Sequence, residues 1–199
     1  MKQGSLYEAL FQIGTLIFVI IIVHATYVTV IRPNAELIQE QQQLMQEQNP
    51  DIVPERSVFI IIRDYEQEFC IIFFLWAVTI IGMKTQHTLR QRALLERTLV
   101  KLQDGMSILP EDSRNYARPV QALAPKEKEF LLPRALLAGL HRFQSTQNIH
   151  AVSSIIKDTC ETEADRMETE LSIVRYIAWA IPSIGFLGTV RGIGTALGQ

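Results

Sequence analysis

The sequence predicts an all-α integral membrane helical protein with long helices extending into the cytoplasm. Three observations carry this reading. Asp, Glu, Lys and Arg are absent from 10–31, 69–83 and 176–190. No segment of useful length alternates with the period of a strand. No proline lies between Pro133 and Pro182, so one helix can run unbroken into the third charge-free run. The remaining composition is ordinary: 199 residues, 48% hydrophobic, 20% charged and a net charge of −2, with nothing that marks a nucleic-acid binder.

The first run is long enough to span a bilayer unaided, because only a helix satisfies its own backbone polar groups in lipid. It also resembles a secretory signal, with Lys2, the apolar block from Ile13 to Val23 and "VHA" at 23–25. Glu8 in the basic end, and "TYVTVI" continuing past the cut, favour an uncleaved anchor over 1–31. The second run is short and borrows its flanks, giving a span over 67–84 with Lys84 and the glutamates reaching for the interfaces.

Orientation follows from the basic residues. Lys84, Arg90, Arg92, Arg97 and Lys101 follow the second span, whereas the segment before it has Arg32, Arg56 and Arg63 against acids from Glu36 to Glu68. The N-terminus and 85–174 are therefore expected in the cytoplasm, and 32–66 outside. Cys70 and Cys160 then lie on opposite sides of the membrane and cannot pair.

The external segment is rich in Gln and Glu. It reads as a short polar helix carrying Leu37, Leu44 and Met45 and stopped by Pro50 and Pro54. In the cytoplasmic region, Leu89, Leu95, Leu99 and Leu102 continue the second span as a helix. Asp104, Gly105, Pro110, Pro119 and Pro125 then break the pattern into a linker. Helix returns near Lys126 and again near Gln144, with Val152, Ile155, Ile156, Met167, Leu171 and Val174 facing a core.

Soluble chemistry finds little support. His24, His87, His141 and His150 have no metal-ligand spacing, and "GIGTALG" at 192–198 follows a helix and lacks the spacing of a nucleotide loop. No nucleophile and base pair emerges, so no enzyme, cofactor or metal is expected.

The last run, "IPSIGFLGTVRGIGTALGQ", holds five glycines, two threonines and one arginine in a segment of span length, 175–199. At about 100° per residue, Pro182, Gly185, Gly192 and Ala196 fall within about 60° of Thr189, and Arg191 points about 160° away. Small residues four apart, Gly188 among them, let helices approach closely in lipid. A hydroxyl at membrane depth can also hydrogen-bond water in a cavity. Arg191 lies at the level where the second span begins, so Asp64, Glu66 or Glu68 is its expected ion-pair partner, with snorkelling to headgroups as the alternative.

"PSIGFLGTVRGIGTAL" resembles the MotA/TolQ/ExbB proton-channel family, in which a proline, a Gly-x-x-Gly-Thr-Val core and a further glycine occupy a span entered from a cytoplasmic helical region. The resemblance implies a proton-channel subunit of an ion-driven motor in the bacterial inner membrane. It implies homo-oligomerisation, in about five copies, around a single-span partner with a membrane aspartate, of the ExbD/TolR/MotB type. Thr189 takes the position of the family's pore-facing threonine. That family's pore uses one more span, so a chain ending at Gln199 is expected to be a fragment. Arg191, where relatives carry an aromatic or apolar residue, departs from the pattern. The contrasting reading is a structural scaffold whose glycine face only packs helices.

Overall fold

A computed structural model describes residues 2–48, 57–100 and 108–198. Within them all regular structure is helical: α1 (Lys2–Thr26), a π turn (Tyr27–Ile31), α2 (Arg32–Gln48), α3 (Val58–Ile62), α4 (Tyr65–Leu95), α5 (Ser113–Gln121), α6 (Pro125–Lys128), α7 (Leu131–Thr146) and α8 (Ile149–Leu197). Three helices are long and apolar enough to cross a membrane: Ala9–Gln48, Tyr65–Leu95 and Ile149–Leu197. The chain forms two compact units, Met1–Gly82 with Ile173–Gln199, and Met83–Ser172.

In the first unit α1 runs through the π turn into α2 without a break. Pro33 explains the wide turn, since it has no N–H and its ring crowds the carbonyl four residues back, at Thr29. The wider turn slows the rotation of the helix face. Val23, Tyr27, Ile31 and Ala35, each four apart, consequently all stay buried. Ile72 of α4 completes the cluster of Val23, Tyr27 and Ile31, flanked by Leu16, Val19, Ile62 and Ile71.

Helix α4 lies between the other two spans. Trp76 Nε1 donates to the Gln12 carbonyl at 3.1 Å, and His24 Nδ1 lies 2.7 Å from Glu68 Oε1. Rising numbers in α1 therefore meet falling numbers in α4. On the other side Cys70 Sγ donates to the Ile181 carbonyl at 3.6 Å, and Arg191 reaches Asp64 and Glu66. Helices α1 and α8 thus run the same way, and α4 runs against both.

The second unit packs α5, α6 and α7 with the later part of α4 and the earlier part of α8. Helix α4 ends at Leu95, so the helix expected through Leu102 stops before Leu99; Leu102, Asp104 and Gly105 lie outside the described residues, as do Pro50 and Pro54. The expected linker also needs correction. Ser113–Gln121 is a helix with Pro119 inside it. Its buried face of Ser113, Ala117 and Val120 outweighs the hydrogen bond that Pro119 removes.

Gln147 closes α7 in the left-handed conformation at φ 50°. Asn148 then caps α8, its Oδ1 accepting from His150 N at 2.9 Å and Ala151 N at 3.4 Å. Gly139 of α7 meets Ile156, where an added Cβ would come within 3.1 Å of Cδ1. Met167 and Leu171, expected to face a core, are each 41% exposed. Charged side chains hold the inner face instead. Arg134 donates to Glu163 at 2.9 Å and Lys84 to Glu170 at 2.7 Å, while Arg166 donates to Glu170 at 2.9 Å. Burial pushes the Glu170 carboxyl upward, but the hydrogen bonds from Lys84 and Arg166 outweigh it and hold the pKa below its ordinary value.

Candidate functional site

The membrane part of α8 presents three faces. The first packs on α4 and contains Ile177, 5% exposed, with Ile181, Ile184 and Gly188 half-buried. These residues recur at three and four positions, the spacing of one helix face. A Cβ on Gly188 would lie 3.3 Å from both Cβ and Cγ of Glu66, so glycine is what lets the two helices meet here.

The second face carries the small residues. Thr189 is exposed, and an added Cβ at Gly185 or Gly192 would meet nothing within 4 Å. Pro182 and Ala196 are exposed on the same side. Of the residues expected to pack the span, only Gly188 lies against another helix; it sits about 100° from Thr189, outside the small face. Pro182 cannot donate to the Ala178 carbonyl, which therefore lacks its helical partner on this face. Thr189 Oγ1 donates to the Phe186 carbonyl at 2.7 Å.

The third face is bulky and apolar. Trp179, Phe186, Leu187, Val190 and Ile193 are all at least half exposed. Trp179, Pro182, Ser183, Phe186 and Leu187 line a shallow groove along it.

At the end of the packed face Arg191 joins α8 to α4. Its Nη1 lies 3.0 Å from Glu66 Oε1 and its Nη2 3.5 Å from Asp64 Oδ1. Glu68 goes elsewhere. Two residues apart on a helix means about 200°, so Glu66 and Glu68 face opposite neighbours. Glu68, 5% exposed, takes Arg32 at 2.5 Å and His24 at 2.7 Å. The Arg32 guanidinium also stacks 4.3 Å from the centre of the Tyr65 ring. His24 and Arg32 were invisible as partners in the sequence. The spacing of Glu66 and Glu68 could have signalled that the two carboxylates serve different helices, but not which residues they meet.

Three buried side-chain atoms in this region have no protein partner, namely Tyr27 Oη, Glu66 Oε2 and Gln67 Oε1. The end of the unit that holds Arg191 is therefore polar. The small face of α8 points away from it. This arrangement can present one hydroxyl and one released carbonyl to whatever covers that face, with the arginine charge held behind.

Residues 127–199 match the MotA/TolQ/ExbB proton channel family. No curated protein and no solved structure matches the chain. The family match supports a proton-channel role in general, and the three apolar helices support a multi-pass membrane protein.

Proposed function

We propose, starting from the proton-channel match of residues 127–199, that the chain is the channel subunit of an ion-driven motor in the bacterial inner membrane. It converts proton motive force into mechanical work or transport and has no catalytic chemistry of its own. About five copies surround a single-span partner of the ExbD/TolR/MotB type, whose membrane aspartate carries the proton. The N-terminus and residues 85–174 are cytoplasmic.

The observation that carries this reading is the open small face. Gly185 and Gly192 leave room for a neighbouring helix or a file of water beside the exposed Thr189. A hydroxyl donates one hydrogen bond and accepts two, so Thr189 can exchange its bond to the Phe186 carbonyl for one to water and pass a proton along the file. Arg191 sits on another face with its charge balanced by Glu66, which keeps it from repelling cations there.

Proton flux tests the proposal. The full-length protein, copurified with its single-span partner, is reconstituted in liposomes with a trapped pH dye. Thr189→Val keeps the shape of the side chain and should abolish flux while leaving assembly on size exclusion unchanged. Full flux in Thr189→Val would remove Thr189 from the proton path, and no flux in the unsubstituted protein would leave the scaffold reading, in which the small face only packs helices.

A further inference from the structure

We propose that α3 is an interfacial lipid anchor, seated in the bilayer boundary beside the end of the first span. The inference is independent of proton conduction. Helix α3 is the five-residue sequence Val-Phe-Ile-Ile-Ile, with Val58 66%, Phe59 36% and Ile61 55% exposed. Three large apolar side chains pointing outward from a single turn need a cover.

Depth identifies the cover as lipid. Ile62, the last residue of α3, packs on the cluster of Val23, Tyr27, Ile31 and Ile72. Ile31 ends the charge-free run that begins at Leu10. Twenty-two helical residues rise about 33 Å, against a hydrocarbon core about 30 Å thick, so Ile31, and with it that end of the cluster on which Ile62 packs, reaches the boundary. At that level of the two spans Val28, Val30 and Phe69 are also exposed apolar side chains.

The neighbouring polar residues have the chemistry of a membrane interface. Arg32 stacks on Tyr65, and arginine with tyrosine is what membrane proteins place at headgroup level. Arg63 donates to Gln39 Oε1 at 2.5 Å, and Asp64 is engaged by Arg191. Among the described residues, the two charged side chains that directly follow α3 are thus already engaged within the chain. One turn is also too short to offer the spaced anchors of a helix bound in a protein groove. Because Arg63 holds Gln39, a lipid-seated α3 also steadies the direction in which α2 leaves the bilayer.

Spin-label accessibility tests this in the full-length protein carrying Cys70→Ala and Cys160→Ser, reconstituted in phosphatidylethanolamine and phosphatidylglycerol vesicles. Single cysteines replace Val58, Phe59 and Ile61 in turn, with Ile21 as the lipid control and Glu47 as the aqueous control. These three side chains are exposed, so the labels displace little packing. Collisions with oxygen should exceed those with a water-soluble nickel chelate at all three positions, as at Ile21. A nickel-dominated pattern like that at Glu47 would place α3 in water and overturn the proposal. Low accessibility to both reagents would mean that protein covers α3, and would overturn it equally.

Discussion

Arg191 and Glu66 join the third span to the second at 3.0 Å, and the same glutamate packs its Cβ and Cγ against the bare Cα of Gly188. One carboxylate side chain thus sets both the closeness of the two helices and the rotation of α8 about its own axis. Arg191 and Thr189 are two residues apart and point about 160° from each other. Fixing the arginine inward therefore turns the threonine outward.

A charge swap should expose this link. Arg191→Glu places a third carboxylate beside Glu66 and Asp64 and removes a charged hydrogen bond, a loss of about 2 kcal/mol. The measurement is denaturation of the detergent-solubilised full-length protein. Adding Glu66→Arg should restore part of the loss, whereas Glu68→Arg should not, because Glu68 serves His24 and Arg32. Rescue by Glu68→Arg would contradict the assignment.

The glycines should separate by face. Gly188→Leu has no room against Glu66 and should destabilise the protein by about 1–3 kcal/mol, the usual cost of overpacking. At Gly185 an added Cβ meets nothing within 4 Å, so Gly185→Leu has open space to enter. It should leave the isolated protein folded and impair only the assembly that covers the small face. Thermal stability and size exclusion on the two variants read the difference.

Glu68 is a buried carboxylate shared by Arg32 and His24. Glu68→Ala leaves Arg32 without its partner in a buried site and should cost about 3 kcal/mol. His24→Ala should cost less, about 1 kcal/mol, since the His24 side chain is 57% exposed and Arg32 still neutralises Glu68. Equal losses from the two variants would show that the histidine contributes more than its geometry implies.

The second unit should weaken in acid. The Glu170 pKa is lowered in the folded protein, with Lys84 and Arg166 outweighing the effect of burial. A depressed carboxylate contributes stability that is present above its unfolded pKa and lost as pH falls through the folded value. The loss should therefore set in below the ordinary value of 4.5. In the full-length protein, hydrogen exchange of the amides around Glu170 should accelerate over that range. Glu170→Gln should flatten the dependence.

By itself the sequence determined the fold class, the number of spans and the family likeness of the last one. Each is a local property: a run without charge forces a self-bonded helix in lipid, and Gly-Thr-Val with its proline is read within one segment. Periodicity also separated Arg191 from the face of Thr189 before any neighbour was known. What periodicity could not supply was the neighbour. Only the tertiary structure decided that Arg191 meets Glu66 and Asp64 while Glu68 turns to His24 and Arg32, because that choice depends on which helix lies on each side of α4 and in what register. Gly188 likewise looked like one of five pore-helix packing residues and is the one that packs within the chain. Pro119 read as a helix breaker, yet α5 forms around it, because burial of Ala117 and Val120 is a long-range gain that no local propensity contains.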